Sequence, residues 1–387
     1  MGLGSGGGDG RNYWSIGAAA TGDEDRARKR CAGLNQPRAR LACIHGKKHH
    51  SVCPCLLCDC KSGSRGLDAG DGRKGIGRGK ALPWGVDGTG RLNRLRLEWQ
   101  SKLVLLLVLP AVGTGLVLQT HWWGAAELPV AIWSLGLSLL LGLAVLWLRA
   151  ATPAGAAAGA AITASLMFAT ATFPYQPWHS ALAPVLAVSL LAWGATRVGR
   201  AKKEALGTAE MRQGRSAAQV AANLGGAALV SAEVVQSWLI DSGWLSGAGA
   251  GAALVFAPGL AALAEAAADT VSSEVGQVLG GRPRMITTLR AVDTGTDGAV
   301  SAPGTLAGVA AAGIVGAIGT LALRGGVALF WISAAGGVFG LLFDSLLGAT
   351  LERRGWLNND MVNFLSTTAA AGFALVLMVV LPHAGVG

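Results

Sequence analysis

The sequence is poor in charged residues. Only 14% of its 387 residues are Asp, Glu, Lys or Arg, compared with about 25% in soluble domains. This shortage argues against an ordinary soluble enzyme. The chain also lacks the Gly-x4-Gly-Lys-Ser/Thr motif, so any nucleotide site is not a P-loop. Its 58 glycines and 13 prolines follow no Gly-x-y period, which excludes a collagen.

Cysteine is absent beyond Cys60, so no disulfide braces the rest of the chain. All six cysteines lie within residues 31–60, where only Cys55 and Cys58 have a familiar zinc spacing. Residues 1–98 also carry +9 of the net charge of +10. They show no recognisable nucleic-acid-binding fold, so no nucleic-acid partner is expected. We interpret residues 1–95 as a disordered, basic, Gly/Arg/Cys-rich leader or extension.

Long apolar runs fill residues 96–387, which we interpret as one polytopic membrane domain. A spanning helix needs about 20 mostly apolar residues, and Pro258 predicts a kink or break in one of the long runs. The fold class predicted is an all-α membrane helix bundle with about nine spans. The predicted spans are 103–119, 130–148, 154–173, 181–196, 217–239, 248–276, 304–323, 327–348 and 361–381.

Basic residues orient the predicted stack. Clusters of Arg and Lys precede the first span and recur after the second, fourth, sixth and eighth spans. All of these clusters therefore fall on one side, which we expect to face the cytoplasm, or the stroma or matrix of an organelle. The chain is predicted to be an integral multi-pass protein of the plasma membrane, or of a plastid membrane if the leader is a transit peptide.

Acidic residues in predicted spans are costly and indicate a functional site. Glu265 and Asp269 share one helical face, and Glu274 lies toward a second face of the same span. Asp344 ends another span, and Asn363 lies one turn into the last span. All five fall toward the basic side, where carboxylates can hold Mg²⁺ and Mg²⁺ can bridge phosphates.

Two loops on the same side favour anion binding. Residues 286–305 are rich in Gly, Ser and Thr and lead into a helix start, which is typical of phosphate cradles but also of ordinary loops. In the other loop, Lys202 and Lys203 are interpreted mainly as topology signals. Arg212 and Arg215 lie next to a helix start and are better candidates for neutralising phosphoryl oxygens.

The histidines of the membrane domain, His121, His179 and His383, all fall on the opposite side. A His-based hydrolase or a thiol enzyme on the basic side is therefore disfavoured. Phosphoryl transfer to an acceptor that is already a phosphate needs no strong base, only positioning and charge compensation. The residues on the basic side can supply both.

Several segments together resemble a known family. They are residues 268–276, 287–288, 295–301, 304–308 and 356–363, with 202–207 and 214–215. In order and spacing they look like the integral-membrane family of transmembrane protein 19 and the plant and cyanobacterial phytyl-phosphate kinases of tocopherol synthesis (domain of unknown function 92). The resemblance covers about residues 100–382.

The resemblance implies a membrane kinase that converts a prenyl monophosphate, such as phytyl phosphate, to its diphosphate. It implies a nucleoside triphosphate donor, CTP being favoured, and Mg²⁺. By this resemblance, Asp269 and Glu274 would be linked to the metal. Asp344 and Asn363 are not implied by the resemblance; they are candidates because they fall on the same side of the membrane, and Asp344 is a further hypothetical metal ligand. The groups implied around the phosphates are Ser273, Thr287, Thr288, Gly295, Thr296, Gly298, Ser301 and Thr305.

Two other classes of protein stay open at this point. A transporter or flippase for a lipid phosphate or anion needs polar groups through the opposite half of the membrane, where few occur. A non-catalytic membrane protein is the other alternative, but it would not explain why costly acidic residues lie in the spans. The sequence does not give the lipid chain, the nucleotide or the oligomeric state.

Overall fold

The computed structural model describes residues 88–208, 214–242 and 252–381, with side chains from residue 98 onward. Its dominant elements are helices, joined by short loops and one two-stranded hairpin. The α-helices are α1 Gly88–Ala126, α2 Leu128–Trp147, α3 Pro153–Ala169, α4 Leu182–Arg197, α5 Arg200–Leu206, α6 Ala217–Val230, α7 Glu233–Asp241, α8 Ala257–Leu279, α9 Ala302–Ala322, α10 Val327–Leu347 and α11 Asn359–Val380.

Shorter elements complete the chain. Strands β1 Arg284–Met285 and β2 Ala299–Val300 pair antiparallel, with Arg284 opposite Val300. One π-helical turn, Gly348–Glu352, extends α10 toward this hairpin, and 3-10 turns lie at Pro177–His179 and Ala252–Phe256.

The prediction of an all-α membrane bundle is confirmed, although its span count is approximate. Each of the nine predicted spans coincides with a helix or a broken helix. Within the described residues, six helices are long and apolar enough to cross a membrane. Two bent pairs, α4 with α5 at 64° and α6 with α7 at 43°, raise the number to eight. The ninth, α3, has only 17 residues.

Helix ends follow local sequence signals. Thr152 caps α3 by accepting the Gly155 N–H at 3.1 Å, and Ser216 with Gln219 forms a reciprocal capping box on α6. Pro258 lies in the first turn of α8, where a missing N–H breaks no helical bond. The predicted break therefore lies at the start of α8, immediately before this proline.

Helix α8 is the centre of the bundle. It packs against α4, α6, α9, α10 and α11, and most of its residues are buried, many of them alanines. Small residues on its neighbours permit this closeness: a Cβ on Gly337 would meet Ala264, and one on Gly308 would meet the Ala268 carbonyl. The acidic residues of α8 are thereby held on a tightly packed helix.

The outer surface of the bundle is apolar. Large side chains on the outer helices, such as Leu106, Leu139, Leu306 and Trp331, are more than half exposed. Exposed apolar side chains on several helices suit contact with lipid. The chain is an integral multi-pass membrane protein. The predicted leader lies almost wholly outside the described residues; only the first turns of α1, from Gly88, precede residue 96.

Candidate functional site

A polar cavity of about 390 Å³ opens where α8 and α10 end beside the hairpin. It is bounded by α6, α8, α10, α11 and the loop that joins β1 to β2. Its polar lining consists of Thr208, Arg215, Gln219, Asn223, Asp269, Thr270, Ser272, Ser273, Glu274, Gln277, Thr294, Thr296, Asp297, Ser301, Asp344, Ser345, Glu352, Asn359 and Asn363.

Most of the candidate site residues predicted from the sequence line this polar cavity. The cavity brings together Arg215, Asp269, Ser273, Glu274, Gly295, Thr296, Gly298, Ser301, Asp344 and Asn363. Arg212 lies outside the described residues.

Three predicted phosphate-binding residues do not line the cavity. Thr287 and Thr288 are exposed in the turn after β1, where the Thr288 N–H donates to the Met285 carbonyl. Thr305 lies in the first turn of α9, and its N–H donates to the Ser301 carbonyl. Local hydrogen bonding of the hairpin and of the helix start places these residues away from the site.

The glycine-rich loop is held in place by two left-handed glycines. Gly295 and Gly298 have φ of 88° and 72°, which other residues rarely adopt. A Cβ on Gly298 would collide with Ala349 in the π-helical turn. The loop backbone therefore packs directly against the end of α10, next to Asp344 and Glu352.

Three hydroxyl groups in this region make hydrogen bonds with the backbone. Ser301 caps α9 by accepting the Gly304 N–H at 3.2 Å. Thr296 donates to the Asp293 carbonyl at 2.7 Å, and Ser273 donates to the Thr270 carbonyl at 3.1 Å. Their oxygens border the cavity, but the hydrogen bonds they make stabilise the local backbone.

Carboxyl groups dominate the charge of the polar cavity. Among the described residues, Asp269, Glu274, Asp297, Asp344 and Glu352 line it with a single cation, Arg215. Burial raises the pKa of the Asp297 carboxyl, and the nearby Arg353 guanidinium opposes that rise. Where these carboxyls are ionised, an anionic ligand would need added positive charge to enter the cavity favourably.

Arg215 is fixed at both its backbone and its side chain. Its N–H donates to the Ala150 carbonyl at 3.0 Å, and its carbonyl accepts the Thr152 N–H at 2.9 Å. Its guanidinium donates to the Thr270 hydroxyl at 3.2 Å and lies close enough to Asp269 to act on that carboxyl. A planar donor group is thus aimed at the acidic wall of the cavity.

Amide side chains form a second wall that the sequence analysis did not identify in full. The Asn363 side-chain amide donates to Oδ1 of Asn223 at 3.1 Å, and the Asn223 side-chain amide donates to the Gln219 backbone carbonyl at 2.8 Å. Arg215, Gln219 and Asn223 recur every four residues, a helical spacing that could have revealed this face.

Lys203 is the clearest residue that sequence reasoning misjudged. It is only 1% exposed and donates to the Ala195 and Thr196 carbonyls at 3.0 Å and to the Glu274 carboxylate. The left-handed glycines Gly199 and Gly207 bound the short helix α5 and turn this lysine inward. The same side chain neutralises Glu274, which leaves that carboxylate less suited to a metal.

Several buried side-chain oxygens in and below the cavity make no hydrogen bond to the described residues. Among the residues that the structure describes, one buried oxygen each of Thr208, Gln277 and Asp344 lines the cavity without a hydrogen-bond partner. One turn below Asp269, Glu265 is 1% exposed, and neither of its oxygens has a hydrogen-bond partner in the described part of the chain. Ser366 lies beside it but donates to the Asn363 carbonyl at 3.0 Å. Buried carboxyls without partners are costly, and a cation would offset that cost.

The donor set fits Mg²⁺ in one specific way. Within the described residues, no group of three His, Cys, Asp or Glu side chains is arranged to hold a metal ion. Mg²⁺ prefers oxygen ligands and is commonly bound by one or two carboxylates together with substrate phosphates. Asp269 and Asp344 offer such oxygens, so they fit an ion that arrives with a nucleotide.

Comparisons with known proteins agree with a membrane family. Residues 136–371 match the model of the integral membrane protein DUF92 family. Uncharacterized membrane protein sll0875 of Synechocystis is 35% identical over 49% of this chain and 71% of its own length. Protein VTE6, chloroplastic, of Arabidopsis thaliana is 29% identical over 50% of this chain and 57% of its own.

An archaeal relative aligns over a shorter stretch. Uncharacterized membrane protein MJ0933 of Methanocaldococcus jannaschii is 46% identical over 28% of this chain, and the match spans 45% of that relative's length. No solved structure matches the chain. Since the family model covers more than half of the 387 residues, the chain belongs to the integral membrane protein DUF92 family.

Proposed function

We propose that this protein is a membrane phosphotransferase that uses a nucleoside triphosphate and Mg²⁺ to convert a prenyl monophosphate to its diphosphate. One observation carries the proposal: a single cavity unites carboxylates, an arginine and a glycine-rich loop at the end of membrane helices. The family resemblance supports the same chemistry, with phytyl phosphate as the model acceptor and CTP as the favoured donor.

The reaction needs no general base from the protein. An oxygen of the prenyl monophosphate forms a bond to the γ-phosphorus, and the bond from that phosphorus to the bridging oxygen breaks. The products are a prenyl diphosphate and a nucleoside diphosphate. Because the attacking oxygen is already anionic, catalysis consists of positioning and charge stabilisation.

Each part of the cavity has a role in this scheme. Asp269 and Asp344 would hold Mg²⁺, which neutralises phosphate charge when bound. The loop of residues 294–301 would contact the nucleotide phosphates through its backbone. Arg215 would contact the transferring phosphoryl oxygens. The amide wall of Asn223 and Asn363 would orient one of the two substrates.

The test is turnover by the purified full-length chain in detergent or nanodiscs. Prenyl monophosphates of different length, including phytyl and geranylgeranyl phosphate, are each combined with Mg²⁺ and each of the four nucleoside triphosphates. The proposal predicts formation of a prenyl diphosphate with at least one pair. Absence of product with every pair contradicts it. Vesicle-to-vesicle or transbilayer movement of the lipid phosphate without product favours a transporter instead.

A further inference from the structure

A second cavity lies beside the polar one, between α2, α3, α4 and α6. It has a volume of about 150 Å³ and, unlike its neighbour, a mainly apolar lining. We refer to it as the apolar cavity. The two cavities share two lining residues, Arg215 and Asn223. A ligand that filled the apolar cavity would therefore have one end beside the polar cavity.

The apolar cavity has a cationic end and an uncharged end. Arg149 follows α2, Arg197 ends α4, Arg200 begins α5, and Arg215 lies two residues before the start of α6. Four arginines therefore gather at one end of the bundle. Away from these residues the lining consists of small or aliphatic groups such as Gly142, Ala156, Val185 and Leu224. From Val185 to Arg197 along α4 the distance is about 18 Å at 1.5 Å per helical residue.

Polar groups at the cationic end suit an anion. The Arg197 guanidinium lies over the Trp193 ring at 4.0 Å and donates to the Leu148 carbonyl at 3.2 Å. The Trp193 Nε1–H is buried and has no hydrogen-bond partner within residues 98–208, 214–242 and 253–381. A buried donor without a partner is costly, and an oxygen of a bound ligand would satisfy it.

The surroundings of the apolar cavity suit access from the lipid. Helix α4 packs mainly on α8 and α9 and only sparsely on α3. On its outer face Leu186 is 36% and Leu190 is 63% exposed, and on α2 Leu143 is 53% exposed. A hydrocarbon chain could therefore pass between these helices without crossing a polar surface.

From this geometry we infer that the apolar cavity holds the acceptor lipid: an isoprenoid chain lies among α2, α3 and α4, and its phosphate lies between Arg197 and Arg215. The inference rests on the proposed function and adds the place and orientation of the acceptor. Charge complementarity favours a lipid phosphate over a neutral isoprenoid. The shared Arg215 puts the acceptor phosphate next to the site proposed for the nucleotide.

The test is photolabelling of the full chain with farnesyl monophosphate that carries a diazirine at the far end of its chain, followed by peptide mass spectrometry. We expect adducts within residues 141–163 and 185–196. Geranylgeranyl monophosphate should compete for labelling at least tenfold better than geranylgeraniol. Adducts confined to other helices, or equal competition by the phosphate and the alcohol, would overturn the inference.

Matched variants sharpen this test. A Cβ on Gly159 meets only Val220, at 3.7 Å, so Gly159→Leu places a side chain in the cavity and should reduce labelling at least tenfold. Gly136→Leu is the control, since a Cβ on this exposed residue of α2 meets nothing within 4 Å. Arg197→Gln should reduce the preference for the phosphate over the alcohol. Equal labelling of Gly159→Leu and Gly136→Leu, with the Arg197→Gln preference unchanged, contradicts the inference.

Labelling and turnover separate the two proposals. Adducts in the apolar cavity without diphosphate formation support the lipid site and contradict the kinase. Diphosphate formation with adducts elsewhere supports the kinase and contradicts this lipid site.

Discussion

The ammonium of Lys203 on α5 donates to the carboxylate of Glu274 on α8, and the lysine is almost completely buried. The same ammonium bonds two carbonyls at the end of α4. One side chain thus joins α4, α5 and α8 at the border of the polar cavity. Removal of one partner from a buried ion pair strongly destabilises a protein, because the other charge stays buried without compensation.

Lys203→Met should therefore destabilise the protein. We expect the free energy of unfolding to fall by about 3–5 kcal/mol, the cost of an uncompensated buried charge. Lys102→Met is the control, since Lys102 is exposed and surface substitutions usually change stability by about 0.5 kcal/mol or less. The measurement is denaturant unfolding in detergent. Equal effects of the two substitutions would show that the pair does not stabilise the fold.

Gly298→Ala should disturb the loop against α10. The added Cβ would meet Ala349, and the residue would keep an unfavourable positive φ. We expect weaker nucleotide binding by at least tenfold in a titration with CTP and Mg²⁺. Gly281→Ala is matched to it, because Gly281 also has positive φ but a Cβ there meets nothing within 4 Å. If both variants bind nucleotide like the unaltered protein, the loop does not form part of the site.

Arg215→Lys keeps the charge but removes the planar guanidinium. We expect kcat/KM for diphosphate formation to fall at least tenfold, or about 1.4 kcal/mol of transition-state stabilisation. Arg284→Lys is the comparison, because Arg284 lies exposed on β1 and outside the cavity lining. Unchanged kinetics of Arg215→Lys would remove this residue from the phosphoryl-transfer step.

Divalent cation should be required for nucleotide binding as well as for turnover. Chelation with EDTA should weaken CTP binding at least tenfold, because the acidic lining repels unneutralised phosphates. Asp344→Asn should raise the Mg²⁺ concentration needed for half-maximal turnover. Asp293→Asn, an exposed residue outside the cavity lining, should leave it unchanged. CTP binding that is equally tight with and without Mg²⁺ would contradict the metal role.

Apolar runs were sufficient to predict the helices, and alternating basic clusters were sufficient to predict which helix ends meet. Asp269, Asp344, Asn363 and the loop around Gly295 indeed line one cavity. Hydropathy could not reveal that α4 and α6 are followed by bends. Those bends depend on packing and on glycine conformations such as that of Gly199.

The sequence did not predict which side chains point to the surface and which point to the interior. Thr287 and Thr288 stand in a Gly/Thr-rich stretch, but they lie in the turn after β1, where the Thr288 N–H donates to the Met285 carbonyl, and both are exposed. Lys203 stands among topology-setting cations, but α5 folds it into the interior. The burial of Lys203 depends on its contact with Glu274, a residue distant in sequence, which a single sequence pattern does not contain.

Asp269→Asn tests the central claim most directly. It changes one carboxyl to an amide of the same shape at the centre of the polar cavity, so the fold should persist while phosphate and metal chemistry is lost. We predict that the rate of prenyl diphosphate formation with CTP and Mg²⁺ falls at least hundredfold, with an unchanged melting temperature. Asp241→Asn, on the exposed end of α7, should keep the full rate. Diphosphate formation by Asp269→Asn at the rate of the unaltered protein would contradict the account.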